Sequence, residues 1–211
     1  MQIQNYKQNF TPQFKALHIA DAGDLSLYKI TDLSDKKYIK NLSERIKIKE
    51  LMPNLGKDES DRWQEMLEYA VDNAQYPENI TYLETHNNKP CGIITFRTEN
   101  KTTFLDCICT FPTEIGKKVS LAGKTLFYQI FKDIQNIRNS RIELEAITNG
   151  PIDVVSKYED LGFKKTSRVF PTKVIMEING SKIKETLRKL TELVDYKPVT
   201  PEKINLNNTL D

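Results

Sequence analysis

Apolar patterns of strand length and helix length alternate along the 211 residues and predict an α/β (α+β) fold, a mixed, mostly antiparallel sheet flanked by helices. Two observations carry this. NITYLETH, CGIITFR and TTFLDCICTF are short apolar runs separated by the polar turns NNKP and TENK, the pattern of strands joined by hairpins. Leu126, Phe127, Ile130, Phe131 and Ile134 then form a stripe at helical spacing, followed by the alternating strand RIELEAIT. Strand, helix and strand in that order imply a right-handed parallel crossover. A chain of this length buries one good core, so a single domain is expected.

The remaining elements follow in order. LSLYKIT (Leu25 to Thr31) reads as a strand, and Ser34 or Asp35 is an N-cap for a helix carrying Ile39, Leu42 and Ile46, which Pro53 ends. Asp58 to Ser60 cap a second helix whose Trp63, Met66, Leu67 and Ala70 follow the spacing of a buried face. After RIELEAIT come a short helix ending at Leu161-Gly162 and strands at Phe163 to Thr166 and Lys173 to Ile178. Ile183, Leu187, Leu190 and Val194 mark a last amphipathic helix, expected to pack on the body. The first twenty or so residues, and the tail after Tyr196 with Pro198 and Pro201, read as loose. The expected boundaries are an extension over 1–24, the main domain over 25–180, an added helix over 181–196 and a tail over 197–211.

Composition narrows the partners. The formal net charge is only +2, with acids and bases interleaved, so neither nucleic acid nor a membrane surface is expected as a partner. The longest apolar runs are strand-length and MQIQNYKQNF lacks the basic start and apolar stretch of a secretory signal, so a soluble, cytoplasmic protein is expected. Cys107 and Cys109 alternate on one strand without zinc-ligand spacing and, with Cys91, read as reduced. Small core residues, the lining of a ligand groove and redox sensors all fit that pattern. His18 and His86 lie far apart and no metal site is expected.

Two runs carry chemistry. In FPTEIGKKVSLAGKTLFYQIF a small-residue turn enters a helix, whose N-terminus offers unpaired N–H groups and partial positive charge to a phosphate. Lys117, Lys118 and Lys124 add cationic donors, although a lysine-bearing loop over a surface helix has the same composition. In NGPIDVVSKYEDLGFKK a short helix brings Tyr158 just before a Leu-Gly-Phe turn and a returning strand.

In this order the two runs resemble the acyl-CoA site of the GNAT N-acetyltransferase superfamily, over roughly Leu25 to Ile178. The resemblance implies the GNAT acyl-CoA N-acyltransferase fold and acetyl-CoA-dependent transfer of an acetyl group to an amine, by direct attack in a ternary complex. Acetyl-CoA is then a co-substrate, and no metal is implied. The family's turn has an Arg or Gln, two free positions, a Gly, one free position and a Gly or Ala, and it aligns with Lys118, Val119, Ser120, Leu121, Ala122 and Gly123, followed by Lys124. Gly123 matches and Lys118 keeps a donor, while Leu121 stands where a glycine lets backbone approach the pyrophosphate. Tyr158 takes the place of the tyrosine that protonates the departing thiolate, with core packing as its other reading. Asn149 falls where the family often contacts the CoA arm, and Asn-Gly is equally a turn signal. Ile108, Cys109 and Thr110 would lend backbone groups to the pantetheine arm where a bulge splays two parallel strands, and one N–H there would hold the developing oxyanion.

The general base is less marked. Asp106 is the acid inside its strand, and alternation places it with Phe104 and Ile108, opposite Cys107 and Cys109. It is a base if that face opens into the cleft, or else it pairs with a lysine on a neighbouring strand. The partner implied is a small-molecule or peptide amine, selected in the family around 35–79 and 168–173, and a homodimer is compatible with the last helix. Two other readings stay open: a CoA- or ligand-binding protein without transferase activity, and a partner-binding protein that uses the added helix.

Overall fold

The computed structural model describes residues 16–138, 140–149, 153–204 and 206, apart from the side chains of 33 and 34. Its elements are β1 (Ala16–Ala22), β2 (Leu25–Ile30), α1 (Leu33–Lys40), α2 (Leu42–Arg45), α3 (Ile48–Leu51), α4 (Lys57–Asn73), β3 (Ile80–His86), β4 (Lys89–Glu99), β5 (Thr102–Thr110), α5 (Ala122–Ile134), β6 (Arg141–Ile147), α6 (Val154–Asp160), β7 (Lys164–Val169), β8 (Lys173–Asn179), α7 (Gly180–Thr191) and β9 (Tyr196–Ile204). The strands form one sheet in the order β7-β8-β6-β5-β4-β3-β2-β1-β9. Every pair is antiparallel except β5–β6, whose connection through α5 makes it parallel. This is the mixed, mostly antiparallel sheet flanked by helices that the sequence predicts.

Burial divides the core between the two faces of the sheet. On one face α5 and α7 pack through Leu126, Phe127, Phe131, Ile183 and Leu187 onto Leu105, Ile142 and Leu144. On the other, α1 and α4 pack through Ile39, Leu67, Ala70 and Val71 onto Leu83, Ile93, Cys107 and Cys109. Strands covered on both faces explain the long apolar runs of β3 and β4.

Three expectations are corrected. Residues 16–22 and 196–204 are not loose but pair with each other as β1 and β9, while 1–15, 205 and 207–211 lie outside the described residues. His18 accordingly sits in β1, its Nε2 2.8 Å from Asp21 Oδ1. Pro198 and Pro201, read as breakers, lie in β9 at the sheet's edge, where a residue without an N–H interrupts no further ladder and blunts pairing with another chain.

The helix expected through Ile39, Leu42 and Ile46 is divided at Asn41 into α1 and α2 and again before α3, where Ile46 and Lys47 are extended, which lets Ile48 bury fully and donate its N–H to Gln64 Oε1. Caps also differ. Asp32 accepts from the Asp35 N–H at 2.9 Å, whereas the Ser34 side chain lies outside the described residues. Gly56 precedes α4, with no side-chain cap from Asp58 to Ser60.

One irregularity positions the site. Along β4–β5, Thr95 faces Cys107 and Phe96 faces Leu105, so Asp106 is the extra residue of a bulge. Leu105 therefore points to the α5 face and Cys107 to the α4 face, although they stand two apart. The alternation expected from sequence is corrected here: Ile108 lies on the α5 face with Leu105, away from Phe104.

Candidate active site

The bulge coincides with a parting of strands. β5 and β6 are paired only from Thr102–Arg141 to Leu105–Leu144, and beyond that both continue without partners on their facing edges. Phe111 N–H donates to Cys91 O at 2.8 Å, so alternation turns the backbone of Cys109 toward β4 and that of Ile108 and Thr110 toward the gap. Of the three residues expected to offer backbone groups, Ile108 and Thr110 do so. Cys109 instead contributes a thiol buried on the α4 face, its pKa pushed up to about 12 by burial.

Asp106 sits where the strands part. One carboxylate oxygen takes a hydrogen bond from Arg97 on β4, and Arg97 also lies over the Phe104 ring, 5.1 Å from its centroid. The expected cation on a neighbouring strand is thus an arginine. Burial raises the Asp106 pKa, the Arg97 charge opposes that rise, and Oδ2 is buried without a hydrogen-bond partner.

Tyr158 enters the gap from α6. Its ring packs edge-on against Phe127, with centroids 5.9 Å apart, and contacts Phe163 at the same distance. Among the described residues its hydroxyl makes no hydrogen bond, and burial, with the Cys107 thiol nearby, holds the phenol pKa well above its ordinary value. The phenol thus keeps its proton at neutral pH. The packing reading of Tyr158 is met by these ring contacts.

At the end of β5 the chain turns through Glu114–Lys117, an ion-paired tip with Gly116 at φ +71 whose N–H donates to Leu51 O. The chain then reaches Leu121, which adopts φ +67 and ψ −6. Leu121 thus holds the left-handed conformation a glycine would take there, at a cost of about 1–2 kcal/mol for a side-chain-bearing residue. Packing with Leu25, Cys91 and Val119 pins it.

No side chain caps α5, so the N–H groups of its first turn point outward beside Gly123. Lys118 and Lys124 are exposed and make no ion pair among the described residues, whereas Lys117 is paired with Glu114. Ser120 is exposed, Val119 is half-buried and Ala122 is buried. Uncapped N–H groups, two free ammonium groups and the gap-facing backbone of Ile108 and Thr110 match the donors and acceptors that a diphosphate and an amide-bearing arm require. Asn149, just past β6, is exposed and offers its carbonyl to Arg62 at 2.8 Å. Gly150, its turn partner in the sequence reading, lies outside the described residues.

Two features escaped the sequence reading. Trp63, read as core, donates Nε1–H to Thr110 O at 3.0 Å. Glu84 on β3 is completely buried under the first turn of α5, against Gly92, with neither carboxyl oxygen hydrogen-bonded. Burial drives its pKa well up, the nearby Thr125 hydroxyl pulling the other way, so it is a neutral acid. An acid within a strand apolar on both faces was the available signal. Among the described residues no group of three or more His, Cys, Asp or Glu is placed to hold a metal ion, and no helix is long and apolar enough to cross a membrane.

No family model matches the sequence, and no curated protein sequence matches it. Solved structures do match. The ribosomal-protein-S18-alanine N-acetyltransferase of Escherichia coli aligns at TM-score 0.50 and 14% identity over 74% of this chain and 93% of its own. FdhC, described as a nucleotide-linked sugar GNAT, aligns at TM-score 0.55 and 14% identity over 83% and 98%. The PaiA N-acetyltransferase of Thermoplasma acidophilum, solved in complex with coenzyme A, aligns at TM-score 0.50 and 16% identity over 74% and 98%. Strand order, a single parallel pair parting at a bulge and these alignments agree: the chain has the GNAT N-acetyltransferase fold.

Proposed function

We propose that the protein transfers an acetyl group from acetyl-CoA to an amine on a small molecule or peptide. The observation that carries this is the buried phenol of Tyr158 beside a strand gap whose opposite lip turns backbone groups of Ile108 and Thr110 inward. The uncapped first turn of α5, with Lys118 and Lys124, would hold the pyrophosphate, and Ile108 and Thr110 would pair with the pantetheine arm. Acetyl-CoA supplies an activated acyl carbon joined to a good leaving group.

Tyr158 donates its proton as the carbon–sulfur bond breaks. Asp106, through the unpartnered Oδ2, accepts the proton the amine must lose, and Arg97 holds the carboxylate in place. A backbone N–H of the Ile108–Thr110 segment faces the oxygen on which charge develops. One structure that shares the fold is named a ribosomal-protein-S18-alanine N-acetyltransferase and another a nucleotide-linked sugar GNAT, which supports a peptide or small-molecule acceptor.

A second reading, acyl-CoA binding without transfer, is favoured by one observation: the candidate base Asp106 is already engaged by Arg97. Calorimetric titration with acetyl-CoA, with ATP as control, followed by an acetyl-transfer assay over a panel of amines, tests both. Micromolar binding of acetyl-CoA but not ATP, with turnover, is expected. Binding without turnover on any amine would leave the second reading, and no binding by a folded sample would overturn both.

A further inference from the structure

Helix α4 crosses the open end of the gap, and two consecutive residues of it reach carbonyls on opposite lips. Trp63 Nε1–H donates to Thr110 O on β5 at 3.0 Å, and Arg62 Nη1–H donates to Asn149 O beyond β6 at 2.8 Å. Thr110 ends β5 and Asn149 lies two residues past β6, both beyond Leu105 and Leu144 where the strands stop pairing, so the two carbonyls stand on the two lips of the gap. Neighbouring residues on a helix project about 100° apart, which suits one helix to grasping two separated edges. The indole is half-buried against the α4-face core and also lies beside the Cys109 thiol, so its position is set by packing. The guanidinium is exposed.

The Thr110 carbonyl is one of the groups turned into the gap, and in the free protein the indole occupies it. We propose that Arg62 and Trp63 form a clasp that fixes the width of the gap and competes with an incoming acyl carrier for the Thr110 carbonyl, so that Trp63 releases it when the carrier's amide-bearing arm is taken up. The clasp rests on the acyl-CoA reading. Both are positioning residues: neither is assigned contact with the reacting atoms. A closed clasp lowers the fraction of molecules competent to bind, and apparent affinity falls in proportion.

Trp63 is the only tryptophan of the chain, so its emission reports on the clasp directly. The full-length protein is titrated with coenzyme A and with adenosine 3′,5′-diphosphate, which carries phosphate but no arm, by fluorescence and calorimetry in parallel. Coenzyme A is expected to shift the Trp63 emission with the same midpoint as the heat, whereas the armless nucleotide is expected to leave the emission unchanged. Arg62→Ala, on an exposed side chain that leaves the core intact, is expected to tighten coenzyme A binding about fivefold and to speed association, and Arg62→Lys to restore wild-type behaviour. Nucleotide affinity is expected to be the same in all three proteins. Calorimetric binding of coenzyme A with unchanged Trp63 emission, or unaltered or weaker binding by Arg62→Ala, overturns the clasp alone. No heat from coenzyme A in wild type or variants overturns the acyl-CoA reading and the clasp with it.

Discussion

β5 and β6 behave differently at their two ends. From Thr102 to Leu105 the pair is hydrogen-bonded, and Leu105, Ile142 and Leu144 are sealed into the α5-face core. Past Leu105 the same strands separate, and the Arg97–Asp106 pair, the buried Tyr158 phenol and gap-facing backbone groups are found there instead. The paired end obeys the rules of stability, and the parted end sets them aside at Asp106, at Leu121 and beneath them at Glu84. The change from one regime to the other falls on a single inserted residue, Asp106.

The most severe way to break the contrast is to delete Asp106. Without Asp106 the strand alternates regularly and Leu105 and Cys107 keep the faces they hold, so the deletion variant is expected to fold by circular dichroism but to lose the parting of β5 from β6, seen as loss of coenzyme A binding. Asp106→Asn keeps the bulge and is expected to bind coenzyme A while transferring acetyl groups more slowly. A deletion variant that binds coenzyme A as wild type does would show that the bulge does not divide the strands. At the paired end, Leu144→Ala is expected to lose about 3 kcal/mol in urea unfolding, with coenzyme A affinity of the folded protein unchanged.

At the parted end, Tyr158→Phe is expected to leave binding intact and to lower turnover about 100-fold. Because the folded phenol pKa is raised, wild-type turnover should show no alkaline loss assignable to Tyr158 below about pH 10. A falling limb below that pH that disappears in Tyr158→Phe would contradict a desolvated acid.

Glu84 gives a stability test with a definite sign. Its folded pKa is raised, so the stability it contributes is whole below the unfolded value near about 4.3 and is lost as pH rises toward the folded value. Glu84→Gln cannot ionise. It is expected to match wild type near pH 4 and to exceed it by about 1–2 kcal/mol at pH 8, and a constant difference across that range would refute the neutral acid. The smallest expected effect is that of Leu121→Gly, which removes the left-handed side chain and is expected to tighten coenzyme A binding by about 1 kcal/mol, roughly fivefold in the dissociation constant.

What the sequence revealed follows the same division. The stripe on α5, the alternation of RIELEAIT and the hairpin turns made the body legible, because each is a local pattern with one structural solution. Tyr158 and the turn before α5 were legible as a pattern of residue types. The bulge came only with the resemblance and its place did not, since Leu105, Cys107 and Cys109 read as an unbroken alternation and nothing in the residue types marks Asp106 as the extra residue. Trp63 lay hidden for a related reason: its spacing is that of a buried stripe, and only the indole nitrogen goes elsewhere. β9 was lost to Pro198 and Pro201, whose meaning reverses at an edge, and β1 to a short run that has no helix or hairpin signal of its own.

The pairing of β1 with β9 joins the first and last described strands, and it bears on the order in which the chain is made. β1 is made with one edge soon matched to β2, and its other edge waits until residues 196–204 have been synthesised. Contacts of such separation form late and slowly, and meanwhile an open strand invites a neighbouring nascent chain. β9, the last of the described strands to be made, is therefore also the cap that ends this exposure, and Tyr196, hydrogen-bonded to Gln129 with its ring centroid 4.5 Å from that of Tyr128, is the anchor that draws it onto α5.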